Sequence, residues 1–235
     1  MERDGVDMNM KKVMRQPLAV FGSIFLITTL LLVGVLLYQV KGITDGGKSS
    51  DNVIKPTPPI VEKVLDEYQL SDVATAYQKE VFEELLTAQH AYKDKYTELT
   101  KEEYATLVVK NFIADFYTWS NKTGRNDVGG VQFIAEEMRS TFRKQAIDGF
   151  YENLDFYLND YEATSLITVN DVTILDVNLN DTLKTEDEMI DCISVQASWQ
   201  YELSSSVEVE QFQSEATFIL TESEDYLVLN AILSE

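Results

Sequence analysis

The sequence has little of the residue types from which metal sites, disulfide frameworks and many catalytic centres are built. Among 235 residues it contains one cysteine, one histidine, four prolines and ten glycines. A single cysteine excludes a disulfide within the chain, and one cysteine with one histidine cannot form a Cys/His zinc cluster. A histidine-dependent active site would have to use that one histidine, His90.

Basic residues are scarce as well, since 19 lysines and arginines stand against 40 acidic residues and leave a net charge of −21. This excess of negative charge argues against nucleic acid, and against an anionic membrane surface, as partners of the folded part. What the sequence does contain is 45% apolar and 11% aromatic residues, which is enough to bury a core. The chain is therefore not a disordered polypeptide.

One long hydrophobic run is present near the start. Residues 18–40 carry no charge, and as a helix they would extend roughly 35 Å, enough to cross a hydrocarbon core of about 30 Å. The run is longer than the apolar region of a cleavable signal peptide. It therefore predicts a retained transmembrane helix, with the lipid bilayer as the partner of residues 18–40.

The cations near the two ends of this helix predict its orientation. Four precede it and three follow it, namely Arg3, Lys11, Lys12 and Arg15 before, and Lys41, Lys48 and Lys55 after. Cytoplasmic flanks carry the excess of lysine and arginine, and the opposite topology would export a short tail with four cations. We expect a single-pass protein with residues 1–17 in the cytoplasm and the C-terminal part outside the cell membrane.

The chain after the helix divides into three parts. Residues 41–59 combine glycine, serine, aspartate and three prolines, which is typical of a flexible linker. Residues 60–99 show apolar residues at helical spacing and predict a helical lead or stalk, with a helix that starts after Ser71 and Asp72. Residues 100–235 are the predicted extracytoplasmic domain.

The domain opens with helical patterns. Thr100 and Glu103 have the spacing of a capping box and predict a helix that starts there and ends near Trp119, apolar almost all round in its last turns. Such a helix belongs in a core. A further apolar stripe at helical spacing predicts one more helix, formed by Ile147, Tyr151, Leu154 and Leu158.

Beyond about Ala163 the apolar period changes to two. Four runs rich in Val, Ile, Thr and aromatic residues predict strands over 164–177, 189–202, 206–220 and 226–233. In the second run, alternation places Ile193 and Trp199 on the core side and Cys192 on the polar side. In the third run the alternation slips, which we attribute to a β-bulge near Glu210 and Gln211. Helices followed by strands predict an α+β fold with a curved four-stranded antiparallel sheet wrapped round helices.

This order of elements resembles the nuclear-transport-factor-2-like domain carried by single-pass envelope proteins of bacterial conjugation and type IV secretion machines. The resemblance covers roughly Thr100 to Leu233, and residues 112–120 (FIADFYTWS) lie where that family has an aromatic-rich long helix. It implies a cone formed by the sheet and the helices, and a role as a subunit of a transfer or secretion complex.

Three features could carry chemistry, and for each we favour a structural interpretation. His90 lies near the end of a predicted helix, where a cationic side chain complements the helix dipole. Residues 176–187 have acidic and amide side chains at the spacing of a calcium-binding EF-hand loop, but strands flank them and we expect an acidic hairpin loop. Cys192 has no neighbouring cation to lower its pKa, so we expect an inert thiol.

Two glycosylation sequons, at Asn121 and Asn180, matter only in a host that glycosylates. We therefore predict no catalytic, cofactor-binding or metal-ligating residue and no cofactor. The expected function is that of a non-enzymatic interaction module of the cell envelope, which docks other envelope proteins or a second copy of itself. The alternative is an exported ligand-binding or enzymatic cone domain, which a deep apolar cavity with converging Asp, Tyr or His would indicate.

Residues 121–130 are dense in turn-forming residues and form the least regular part of the domain. They are a plain connector or a recognition loop. Because they lie outside the apolar stripes, we expect a Gly/Ser loop of equal length to replace them with little effect on folding.

Overall fold

The computed structural model describes residues 68–184, 188–202, 207–223 and 226–233. The predicted tail, transmembrane helix and linker, residues 1–59, lie outside these ranges, as do residues 60–67 of the predicted lead. In the described ranges, every helix is too short or too polar to cross a bilayer.

The first two helices, α1 (Ala76–Asp94) and α2 (Glu98–Phe116), pack against each other, and each begins with a capping box. In α2 the Thr97 hydroxyl accepts from the N–H of Thr100 at 3.1 Å, and the Thr100 hydroxyl accepts from the N–H of Thr97 at 2.9 Å. The predicted start at Thr100 is therefore wrong by one turn, because Thr97 satisfies the first free N–H groups. The predicted start of α1 at Ser71 and Asp72 is also too early, since these residues belong to a turn before the helix.

The helix predicted from the stripe Ile147 to Leu158 is two helices, α3 (Arg139–Asp148) and α4 (Leu154–Asp160). The break lies at Gly149, which caps α3 with φ −124° and ψ −100°, outside the helical region. A glycine adopts such a conformation readily, so the helix ends here and α4 begins at Leu154.

The four strands are β1 (Val169–Lys184), β2 (Met189–Tyr201), β3 (Glu215–Ser223) and β4 (Tyr226–Leu233). They form one antiparallel sheet in the order β1-β2-β3-β4. The prediction of helices followed by a four-stranded antiparallel sheet is thus confirmed. In β2 the core side is also as predicted, because Ile193 and Trp199 are both buried.

Two predictions about the strands are wrong. Residues 176–184 are not a hairpin loop but the second half of β1, where Val177 pairs with Val195 and Asp181 with Cys192. The bulge predicted at Glu210 and Gln211 is a 3-10 turn before β3 begins. The register shifts of the sheet lie instead within the β1–β2 pair and at Ile219–Leu220 in the β3–β4 pair.

Strand β1 forms an edge of the sheet, and side chains occupy several of its backbone N–H groups. The N–H of Val169 donates to the Thr118 hydroxyl at 3.1 Å. Farther along, the N–H of Asn180 donates to the side chain of Asn178 at 3.1 Å, and that of Thr182 to the carboxylate of Asp181 at 2.8 Å. These donors are therefore already satisfied within the chain.

Helix α2 is the centre of the core, as the sequence predicts. It contacts α1 as well as β1, β2 and β4, and most of its side chains are buried. The chain leaves α2 at Tyr117, and the N–H of Trp119 then donates to the backbone oxygen of Ile167 at 2.8 Å. This contact ties the end of the helix to the approach to β1.

Candidate interaction surface

Aromatic side chains fill the space between α2 and the sheet. The rings of Phe112 and Phe116 stack with their centroids 5.3 Å apart, and Phe112 reaches Phe218 of β3 at 5.9 Å. Tyr117 lies 4.4 Å from Trp199 of β2, and both are buried. Rings thus occupy the region in which a ligand-binding cone would hold its ligand.

A small cavity with a volume of about 20 Å³ lies where α1, α2, the segment before α1 and residues 132–133 meet. Its lining includes Gln78, Asn111 and Asp115. The Gln78 amide donates to the backbone oxygen of Ala114 at 2.8 Å, and the Asn111 amide donates to that of Val81 at 2.8 Å. Its volume corresponds to about one water molecule, so these polar groups serve to hold the two helices together.

Residues 121–130 are fixed to this region by a buried ion pair. The Lys122 ammonium lies 2.6 Å from the Asp115 carboxylate, and the Lys122 side chain is only 5% exposed. The second oxygen of Asp115 accepts from the N–H of Gly130 at 2.7 Å, and the Asn121 amide donates to the side chain of Gln78 at 2.8 Å. These contacts argue against the expectation that a Gly/Ser loop could replace this segment with little effect on folding.

The two glycines at the end of the segment are required by close packing. A Cβ atom at Gly129 would lie 2.3 Å from the backbone oxygen of Asp115, and Gly130 has a positive φ of 72°. The N–H of Gly129 also donates to the Tyr151 hydroxyl, which donates to the backbone oxygen of Phe116 at 2.6 Å. Burial raises the pKa of Tyr151 well above its usual value, so the hydroxyl stays protonated and can donate.

The residues that could carry chemistry do not converge on one site. His90 is exposed on α1, whereas Cys192 is buried on β2, on the side of the sheet opposite to the core residue Ile193. Burial raises the pKa of the Cys192 thiol, and the carboxylates of Asp181 and Asp191 raise it further, as expected for an inert cysteine. Within the described ranges, no group of three His, Cys, Asp or Glu side chains is placed to hold a metal ion.

The two sequons differ in accessibility. The amide nitrogen of Asn121, the atom that a glycan would modify, donates to Gln78 and is held against the core. Asn180 is exposed on the edge strand β1. In the folded chain the amide of the first sequon is therefore hydrogen-bonded and partly buried, whereas that of the second is exposed.

The surface feature that stands out is a group of aromatic side chains on and just after α4, which we call the α4 aromatic patch: Phe156, Tyr157 and Tyr161. Phe156 is 62% exposed and Tyr161 is 42% exposed. The rings of Tyr157 and Tyr161 stack at 6.2 Å, and Phe156 meets Tyr157 edge-on at 5.8 Å. Tyr157 in turn lies 5.6 Å from the buried ring of Trp119, so the patch rests on the core.

The apolar stripe through Leu154 and Leu158 does not predict this patch, because it leaves Phe156 without a role. The available signal was that Phe156 lies off the stripe, on what would be the polar side of the helix. A large aromatic residue in that position is either exposed or covered by another element. Here Phe156 is exposed.

Acidic residues surround the patch along the chain. They are Glu152, Asp155, Asp160 and Glu162, and all four are exposed. No lysine or arginine occurs from residue 151 to residue 183. Arg125 contacts this group in two ways. Its guanidinium nitrogen lies 3.6 Å from the Asp155 carboxylate, and its backbone N–H donates to the same carboxylate at 2.8 Å. Residues 121–130 and the α4 aromatic patch are thereby neighbours.

Exposed apolar side chains also occur at the turn between α1 and α2, where Leu99 is 73% exposed. There two lysines of the chain already contact a carboxylate and an aromatic ring. Lys101 lies 2.6 Å from Glu222, and the Lys93 ammonium lies 4.5 Å from the centre of the Tyr226 ring. The two ends of the domain therefore differ in how many cations of their own they hold.

Comparison with known proteins provides no residue role that could be transferred to this chain. No family model, no curated protein and no solved structure matches it.

Proposed function

We propose that the chain is a single-pass membrane protein whose C-terminal domain, outside the membrane, is a non-enzymatic interaction module of the cell envelope. The observation that carries this proposal is the α4 aromatic patch. Interfaces concentrate their binding energy in a few aromatic anchors held on a rigid support. Phe156 and Tyr161 present such anchors, and Tyr157 connects them to the core through Trp119.

The proposal includes a finer fold, a nuclear-transport-factor-2-like cone with a curved sheet, in a subunit of a conjugative transfer or secretion complex. The resemblance of the element order supports this assignment. The register shifts in the β1–β2 and β3–β4 pairs support the curvature, because β-bulges bend and twist the strands that contain them.

The aromatic filling of the interior supports a docking function over a ligand-binding one. A substrate between α2 and the sheet would have to displace rings such as Phe112 and Phe116, which are in mutual contact. Truncation of a buried phenylalanine costs roughly 3–5 kcal/mol, so the interior resists such rearrangement. Recognition at the surface requires no comparable cost.

The experiment is site-specific photocrosslinking in the full chain, in the membranes of the cells that make it. A photoreactive phenylalanine analogue at position 156 should give a defined crosslinked protein, because Phe156 is 62% exposed within the patch. The matched control is the same analogue at position 99, where Leu99 is similarly exposed but lies at the other end of the domain. The proposal would be contradicted if the analogue at position 156 gave no more crosslinked protein than the analogue at position 99.

A further inference from the structure

We propose that the partner presents to the α4 aromatic patch a polypeptide segment that carries lysine or arginine beside an apolar residue. This inference rests on the proposed function, because it specifies the chemistry of what the interaction module docks. Three observations carry it: the exposed rings, the surrounding carboxylates, and the finding that among the described residues Arg125 alone places a cation within 4 Å of those carboxylates.

The rings provide sites for an apolar side chain and for a cation. Phe156 and Tyr161 are exposed, and aromatic faces attract ammonium and guanidinium groups that lie within about 6 Å of the ring centre. The chain makes the same contact within itself, where the Lys93 ammonium lies 4.5 Å from the centre of the Tyr226 ring. At the α4 aromatic patch, a lysine or arginine of the partner would form this contact.

The carboxylates make a cationic partner more favourable than a neutral one. Glu152, Asp160 and Glu162 are exposed beside the patch. Among the described residues, Arg125 is within 4 Å of Asp155, and the other three carboxylates have no cation at that distance. At the other end of the domain Lys101 already neutralises Glu222 at 2.6 Å. The α4 aromatic patch therefore combines exposed rings with unneutralised negative charge, which is the complement of a basic and apolar segment.

The test measures binding of a short synthetic peptide, in which lysines flank leucine, to the full chain in nanodiscs of zwitterionic lipid. Empty nanodiscs are the blank, and a peptide with glutamate in place of lysine is the probe of opposite charge. We expect the lysine peptide to bind, more weakly as salt is added because the charges are exposed and screened. The glutamate peptide should not bind.

Two sets of substitutions separate local recognition from net charge. The patch variant removes three exposed carboxylates beside the patch, by the substitutions Glu152→Gln/Asp160→Asn/Glu162→Gln. The control variant removes three exposed carboxylates on α2, by the substitutions Glu98→Gln/Glu102→Gln/Glu103→Gln. The patch variant should weaken peptide binding about tenfold, whereas the control variant, with the same net charge, should change it less than about twofold. Equal weakening by both variants would mean that only net charge matters, and would overturn the inference.

The aromatic variant Phe156→Ser/Tyr161→Ser distinguishes this inference from the proposed function. If this variant no longer co-purifies with the partner identified by the crosslink at position 156, while the charge variants and added salt change nothing, the patch docks an apolar partner, and only the inference of a basic segment is wrong. If the aromatic variant binds the lysine peptide as tightly as the wild type, the patch is not the peptide site and the inference fails. In that case the crosslink at position 156 decides separately whether the patch is an interface.

Discussion

The buried ion pair between Asp115 and Lys122 allows a quantitative prediction. Asp115→Asn preserves the shape of the side chain and still offers an oxygen to the N–H of Gly130, but it removes the negative charge 2.6 Å from the Lys122 ammonium. The Lys122 side chain is 5% exposed, so its charge would remain buried without a partner. Breaking a buried pair in this way costs roughly 3–5 kcal/mol. Because the Asp115 side chain is 30% exposed and partly screened, we expect the lower end, about 3 kcal/mol.

Urea unfolding of the full chain in nanodiscs, followed by the fluorescence of its two tryptophans, measures this cost. With a denaturant dependence of about 1–3 kcal/mol per molar urea, the midpoint of Asp115→Asn should fall by roughly 1–3 M. The control is Lys122→Met in the Asp115→Asn background, which replaces the uncompensated cation by an apolar side chain of similar length. This double variant should recover at least about 1 kcal/mol, since apolar replacement of a buried pair is often close to neutral.

Either of two results would refute this account of the ion pair. A loss below about 1 kcal/mol for Asp115→Asn would mean that solvent reaches the Lys122 ammonium after a small movement. A double variant no more stable than Asp115→Asn would mean that the cost comes from the contact with Gly130 and not from the buried cation. Amide hydrogen exchange of residues 121–130 would then show whether the segment opens locally.

Four further outcomes are expected. Gly129→Ala should lower the free energy of unfolding by about 1–3 kcal/mol because of the close contact with the Asp115 oxygen, and an unchanged urea midpoint would count against the described packing. Burial raises the pKa of Tyr104 to about 12 and that of its hydrogen-bond partner Tyr68 well above its usual value, so stability should be intact below about pH 10 and be lost as the pH rises through about 12. Tyrosinate absorbance should then rise together with the loss of circular dichroism, and ionisation of these two residues in the folded protein would contradict the assignment. Protease added to intact cells should digest the C-terminal domain, whereas protection behind a sealed membrane would reverse the proposed orientation. Residues 60–235 expressed alone should be soluble with a mixed helix and sheet spectrum, and aggregation would argue against an independent domain.

The parts of the fold that the sequence predicts are those in which residue type alone determines the buried face. In β2, apolar and polar residues alternate from Ile193 to Trp199, and only one assignment of faces buries the apolar set. In the last turns of α2, apolar residues cover almost the whole circumference, which only a central position accommodates.

The incorrect predictions arise where short-range preference and long-range pairing disagree. Asn178 and Asp181 favour a turn, yet pairing with Ser194 and Cys192 of β2 keeps them in a strand. Thr97 and Thr100 are both good helix caps, and the spacing of hydroxyl groups does not choose between them. The apolar stripe alone does not predict the α4 aromatic patch, because Phe156 lies off the stripe and the sequence does not show whether another element covers it.

The occupied N–H groups along β1 have a consequence for how copies of this protein meet. In the proposed arrangement, neighbouring copies share one membrane, and tethering raises their effective concentration at its surface. An open sheet edge under such crowding would invite strands of adjacent molecules to join and form aggregates. In β1 the N–H groups of Asn180 and Thr182 already donate to the side chains of Asn178 and Asp181, so these two donors are less available to an added strand. This part of the edge therefore offers fewer backbone donors to a neighbouring copy, which favours association through side-chain surfaces when molecules crowd in the membrane.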